Sequence, residues 1–475
     1  MSNSARAKEI EYTRCIAKVE RDGSFVVKLT TALTISITLT LASAMFTISA
    51  QAVDAKVAWT PWLTQASDLP ATPPPPDPDA TQEELTLLAD RVAGLSDEAR
   101  ANVRHWQPGS ANYRWMQMAL DHYAAGPPSP MKSRGIALLN VAIYDAMAIA
   151  GEEKLRHRRL RPTGIATLGS MPQTSSYPSG YAAAATAAAG VMAYLFPDDT
   201  ERFASAANRA GQARVDAGIN FPSDVEAGAA IGRAVTDAIL RHARSDGSDV
   251  EWAGERPTGP DKLQGEVFVY PGVGNWRPWV IASLDDYLPP PPPAIDSVDM
   301  TRELDELKAI DRNVLARIQA WSNHATTSAF QVWYERIATA VFEADDTLDP
   351  RAAAHAYASI SVANHDAIIA CFGAKYTYWM IRPNQLDDAL PSLFPNPPHP
   401  SYPAAHSCSS TSYAVTIGHY FPTHAQATRD AAEAAGISRL IAGIHYPSDK
   451  RAGDELGEAV ARTVIAHSQT LMPNE

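Results

Sequence analysis

Residues 141–162, VAIYDAMAIAGEEKLRHRRLRP, and residues 362–383, VANHDAIIACFGAKYTYWMIRP, align without a gap at an offset of 221. The pairing continues downstream. YPSGY (177–181) falls on YPAAH (402–406), and ARVDAGINFPSD (213–224) on SRLIAGIHYPSD (438–449), both at an offset of 225. Order is kept and the offset drifts by only four residues, so the 475-residue chain contains an internal duplication with a period near half its length. The copies differ where side chains titrate. The second has His406 and His445 where the first has Tyr181 and Asn220.

Around these segments the texture is helical. Runs such as YAAAATAAAGVMAYLF (181–196) and EAGAAIGRAVTDAILRHA (226–243) combine high helix propensity with apolar residues three and four apart. Strand signals are scarce. The expected fold is all-α, with two tandem helical bundles related by the duplication, over residues 84–245 and 301–475. Residues 246–300, rich in Pro, Gly and Trp, read as an irregular connector, and residues 53–83 as a Pro-rich arm. Residues 1–52 read as an export signal. A mixed-charge start is followed by an uncharged run from 29 to 53, with small residues at Ala50-Gln51-Ala52 for cleavage near Ala52. The expected product is periplasmic or secreted, without stable membrane contact; an uncleaved N-terminal anchor is the alternative.

The net charge of −13 disfavours a nucleic-acid partner. Hydrophobic residues make up 45% of the chain, enough for large cores. Of the three cysteines, Cys371 and Cys408 lie beyond the signal; a bridge between them fits an oxidising compartment, and the sequence leaves it open.

The second copy concentrates charge and proton chemistry. Lys375 and Arg382 are seven apart, so on a continuous helix they share a face roughly 10 Å apart along the axis. Small residues Ala404-Ala405 before a helical run let an anion approach first-turn N–H groups, with His406 beside it to move a proton. Ser438-Arg439 precedes His445, and Asp449 lies four residues further on, placed to hold one imidazole nitrogen and leave the other basic. Three cations, two imidazoles and a carboxylate describe a pocket for a tetrahedral oxyanion. A di-metal site on His355, His365 and His406 is a weaker alternative, lacking accompanying carboxylates.

Lys375…Arg382-Pro383, Pro403-Ala404-Ala405-His406 and Ser438-Arg439…His445…Asp449 resemble the signature of the type 2 phosphatidic acid phosphatase (PAP2) and vanadium-dependent haloperoxidase superfamily. The resemblance implies that Lys375, Arg382 and Arg439 bind vanadate or phosphate oxygens. It makes His445 the axial vanadium ligand or the phosphatase nucleophile, and His406 the acid–base residue. Asp366 resembles the family carboxylate that pairs with the last arginine, here Arg439. The departure is Ala404-Ala405, where the family has Ser-Gly; a lost hydroxyl bond costs about 1.5–3 kcal/mol of anion binding.

The paired bundles resemble haloperoxidases of the vanadium chloroperoxidase type, with one intact site in the C-terminal half, and GNWRP (274–278) resembles bacterial haloperoxidase-like sequences. By that resemblance the cofactor is vanadate, and the partners are hydrogen peroxide, halide and a small organic substrate. His399 stands where family members differ by halide, and resembles bromoperoxidases. Alternatives are a PAP2-type acid phosphatase working through a phosphohistidine and a non-catalytic oxyanion-binding module. The first copy, with Lys154, Arg161, Arg214 and Asp224 but neither histidine, reads as scaffold, with residual anion binding as the other reading. Paired bundles are also compatible with a homodimer.

Overall fold

The computed structural model describes residues 59–473 except 66, 68, 125–128, 313–328 and 345–347. The export signal expected over residues 1–52 lies outside the described residues. Helices dominate, and among the described residues there is no strand, only an isolated bridge between Lys262 and Met380.

Two helices form the centre: α4 (Pro130–His157) and α10 (Pro350–Tyr378). Both start alike, with a side-chain N-cap, Ser129 or Asp349, followed by proline at the first helical position. Both end on a left-handed residue, Arg158 (φ 50°) or Trp379 (φ 55°), whose N–H returns to Lys154 or Lys375. Alanine and small polar residues recur along both and let the two helices pack on each other. At their contact Asn140 Nδ2 donates to Ser361 Oγ at 2.9 Å. These two positions are equivalent in the duplication, so the contact lies on a pseudo-two-fold axis. α4 is apolar and long enough to cross a membrane, but here it is buried core.

Each central helix builds a four-helix bundle with the three that follow in its copy. In the first copy these are α5 (Gly180–Leu195), α6 (Thr200–Asp216) and α7 (Pro222–Ala243); in the second, α11 (Ala405–Tyr420), α12 (Ala425–Ile441) and α13 (Pro447–Gln469). The last helix of each copy packs tightly on the second through paired glycines. A methyl group at Gly228 or Gly232 would strike the Ser179 or Ala183 carbonyl; at Gly453 or Gly457 it would strike that of Ala404 or Cys408. Ahead of the bundles lie α1 (Pro78–Ala93), α2 (Asp97–Trp106) and α3 (Tyr113–Ala124) in the first copy, and α8 (Val298–Ala309) and α9 (Ala329–Ala344) in the second. α1 begins inside the stretch expected to be an extended arm, capped by Asp77 with proline at its first position.

The duplication reaches further than the helices. A Trp-x-Pro-Trp segment occurs at Trp59–Trp62 and again at Trp276–Trp279. In the first, the N–H groups of Trp62, Leu63 and Thr64 donate to Asp145 on α4 at 2.7, 3.1 and 2.9 Å. In the second, those of Trp279, Val280 and Ile281 donate to Asp366 on α10 at 2.9, 2.9 and 3.2 Å. Asp145 and Asp366 are equivalent, and burial raises both carboxyls to about 6 against the opposing pull of these donors. Each strap also lies on the other copy. Trp62 packs on His467 of α13, and Thr60 N–H donates to Leu471 O. Trp279 stacks on His242 of α7, and Arg277 N–H donates to Asp246 O.

Cys371 on α10 and Cys408 on α11 form a disulfide, which answers the pairing left open by the sequence. It closes a loop with a sequence separation of 37, for which chain entropy gives about 4 kcal/mol. Reduction of the folded protein is therefore expected to lower Tm, and Cys408→Ser to lower it similarly without further loss on adding reductant. Denaturation curves with and without dithiothreitol check this; superimposable wild-type curves would contradict it.

Candidate functional site

α10 stops at Tyr378, so the expectation that Lys375 and Arg382 share one helical face is corrected. Arg382 precedes Pro383, which disfavours helical backbone at that residue, and it stands extended (φ −80°, ψ 152°) at the head of a single helical turn, Pro383–Leu386. Residues 379–381 instead run beside the connector: Leu263 N–H donates to Trp379 O and Ile381 N–H to Asp261 O. The long connector thus fixes the strand-like link between the two cations.

Lys375 and Arg382 are nonetheless brought to one place, both with no solvent exposure. Lys375 Nζ donates to Pro400 O at 2.6 Å and Ser401 O at 2.9 Å, using two of its three donors to hold the loop before α11. Arg382 spans the gap between that loop and the turn before α13. Its Nη2 donates to His399 O at 2.9 Å, and its Nη1 to Ile444 O at 2.7 Å and to His445 Nε2 at 3.1 Å. His445 Nδ1 lies 2.8 Å from Asp449 Oδ2, which also accepts from Tyr446 N–H and Ser401 Oγ. The carboxylate acceptor places the ring proton on Nδ1 and leaves a lone pair on Nε2. Burial, then Arg382 and Lys375, hold His445 well below the ordinary histidine range, so the ring is neutral near pH 7.

Arg439 is on α12. Its Nε donates to Ser438 Oγ at 3.0 Å, its guanidinium lies over Phe394, and its Nη2 is buried with no hydrogen-bond partner. Burial lowers it to about 10. The expected pairing with Asp366 does not occur. Asp366 precedes Lys375 by nine residues, two and a half helical turns, and so points to the opposite side of α10, where it holds the Trp279 strap. His406 lies half-buried in the first turn of α11, within electrostatic reach of His445 and His399. His399 is partly buried, with its ring between Arg382 Nη2 and Phe372; burial and the two nearby cations push it well down. His355 and His365 are elsewhere, bonded to Ser468 O and Ser133 Oγ, and no group of metal-holding side chains occurs among the described residues.

At the α11 start, Ala404 N–H donates to Asp449 O, and no side chain caps the helix. The equivalent Ser179 shows what a hydroxyl does here: it accepts from Ala182 N–H and caps its own helix. Alanine therefore removes a cap, leaving the first-turn N–H groups open to a ligand.

The charge count defines the site. Two buried cations, Lys375 and Arg382, face one carboxylate, Asp449, and a third, Arg439, is buried without a carboxylate partner; the neighbouring Glu303 is engaged with Ser448 and Arg451. Burial and Arg382 hold Lys375 well below its ordinary range, a cost that an anion beside the pair would relieve. The donors, the orphaned Arg439 Nη2 and the open helix start fit a tetrahedral oxyanion such as vanadate or phosphate. Two contributors escaped the sequence reading: Ser401, which holds Asp449, and Phe394, which carries Arg439. Ser401 has a signal, because its equivalent Ser176 holds Asp224 in the same way; Phe394 has none.

The chain is a helical protein of duplicated bundles. It belongs to the PAP2 superfamily, whose sequence profile matches twice, over residues 136–245 and 354–473. Its fold is that of the vanadium-dependent haloperoxidases. The crystal structure of the first bacterial vanadium-dependent iodoperoxidase superposes with a TM-score of 0.56 at 22% identity, covering 81% of this chain and 96% of that one. A holo-type bacterial vanadium-dependent chloroperoxidase gives 0.55 at 14%, covering 73% and 95%. No curated protein sequence matches the chain.

Proposed function

We propose that the second copy is a vanadate-dependent haloperoxidase site, oxidising halide with hydrogen peroxide. The observation that carries this reading is the surplus of buried positive charge around a neutral, oriented imidazole. Lys375, Arg382, Arg439 and the N–H groups at the α11 start would hold vanadate, with His445 Nε2 as its protein ligand. When bound, vanadate supplies the oxygen-transfer chemistry by which peroxide oxidises a halide. The chain's own work is to neutralise the anion's charge, to keep the His445 proton on Nδ1 through Asp449, and to move a proton at His406. We assign bromide as the preferred halide from His399, and a small organic molecule as the acceptor. Export fits the Cys371–Cys408 disulfide, which persists in oxidising compartments.

The same His445 Nε2 would serve a phosphatase as nucleophile, so the test runs both reactions. Protein reconstituted with orthovanadate is expected to halogenate a phenol with peroxide and bromide, faster than with chloride. Metal-free protein is expected to hydrolyse a phosphomonoester slowly. Hydrolysis without any halogenation would make the phosphatase reading correct; vanadate binding with neither reaction would make the chain a binding module.

A further inference from the structure

The first copy arranges the corresponding positions around an open cavity of about 380 Å³. Its wall carries four cations, Lys154, Arg161, Arg214 and Arg351, and one carboxylate, Asp349. Asp349 is already paired with Arg351 at 2.7 Å, so the wall keeps an excess of positive charge in a chain of net −13. Lys154 and Arg161 repeat the second copy's bonding. Lys154 Nζ donates to Ser175 O and Ser176 O, and Arg161 Nη1 donates to Ile219 O, as Lys375 and Arg382 do to Pro400, Ser401 and Ile444. The side chain of Arg214, the equivalent of Arg439, donates no hydrogen bond among the described residues. It lies over the Tyr181 ring at 4.5 Å, and its Nε is buried without a partner. Ser179 and Gly180, at the start of α5, line the same space.

We propose that this cavity is a second oxyanion site, which binds inorganic phosphate or the phosphate end of a small phosphomonoester and does not turn it over. Binding follows from the charge excess and from Arg214, whose Nε is buried without a partner, which together offer what a tetrahedral dianion takes. Absence of turnover follows from two substitutions. Asn220, in the place of His445, has its Nδ2 held by Ser176 O and Asp224 Oδ2 at 3.0 and 3.1 Å, and a carboxamide is no nucleophile. Tyr181, in the place of His406, supplies a phenol that does not exchange protons near neutrality. The cavity is larger than a bare phosphate needs, and Met147, Leu155 and Ile219 give it apolar wall for an organic tail. Arg351 heads α10, so the ligand would bridge the two copies.

This inference does not rest on the reaction proposed for the second copy. The test is equilibrium dialysis of the full chain against inorganic phosphate, with phenylphosphonate, which has no ester bond to cleave, as a second probe. Wild type is expected to bind two phosphates per chain; Arg214→Ala and Arg439→Ala are each expected to bind one. Affinity at the first-copy site should fall about tenfold or more in Arg214→Ala and be partly restored in Arg214→Lys. In Arg439→Ala, tighter phenylphosphonate than phosphate would identify a phosphomonoester ligand, and the reverse order inorganic phosphate; either supports the site. A wild type that binds one phosphate, lost in Arg214→Ala and kept in Arg439→Ala, would support this site while removing the one proposed in the second copy. Loss of all binding in Arg439→Ala, or unchanged binding in Arg214→Ala, overturns the inference. Circular dichroism confirms folding, and Arg214→Gln replaces Arg214→Ala if the latter fails to fold.

Discussion

His445→Ala is expected to reduce kcat about a thousandfold or more while the folded chain still binds vanadate, more weakly. The ring is buried, neutral and oriented, with Nδ1–H on Asp449 and the Nε2 lone pair beside Arg382. No other described imidazole is held in this way by a carboxylate within the cation cluster, so no neighbour can substitute. The three cations and the α11 start remain, which is why binding survives. The pH profile gives a second readout. Burial raises Asp449 to about 6, and only its carboxylate form fixes the His445 tautomer. Activity should therefore be full above that pH and decline as pH falls through it. Asp449→Asn should lose about 100-fold in rate and flatten that acid limb. Near-wild-type turnover in His445→Ala would remove His445 from the chemistry.

Asp366→Ala is expected to be the most destabilising single change in the second copy outside its apolar core. The carboxylate has no solvent exposure and receives three backbone N–H groups from one strap. Removing it leaves three buried donors unsatisfied, at about 1–3 kcal/mol each, so a loss of at least about 3 kcal/mol follows. Urea denaturation measures it. A loss below about 1 kcal/mol would mean that water or the backbone satisfies the strap. Asp145→Ala should act alike, because its three bonds are the same atom for atom.

Much of this was legible because the chain repeats itself. The helices follow from alanine-rich runs, and the half that holds the candidate site follows from His406 and His445 against Tyr181 and Asn220. Aligned positions also locate the cradle, since Lys375, Arg382, His445 and Asp449 share one hydrogen-bonded loop system. Two errors share a cause: spacing along a chain does not report direction. A spacing of seven puts Arg382 on the Lys375 helix, but a residue before proline leaves the helical region and the chain turns at Trp379. The resemblance pairs Asp366 with Arg439, whereas nine residues carry it half a turn away from the Lys375 side. The second Trp-x-Pro-Trp segment reads as part of the connector and of the GNWRP resemblance but not as a repeat of Trp59–Trp62, because the offset of 217 differs from those inside the bundles and hides the match. Phe394 and the open first-copy cavity depend on three-dimensional approach alone, which no periodicity encodes.

The crossed Trp-Pro-Trp arms have an architectural consequence. An arm that precedes one half, anchors in that half and rests on the final helix of the other is the arrangement of a symmetric two-subunit assembly written into a single polypeptide. Neither half closes its own surface, so an isolated C-terminal half, though it holds every residue of the candidate site, would expose the bare flank on which Trp62 lies. The half with Tyr181 and Asn220 in place of His406 and His445 is thus required for the other to stand, whatever its own pocket carries.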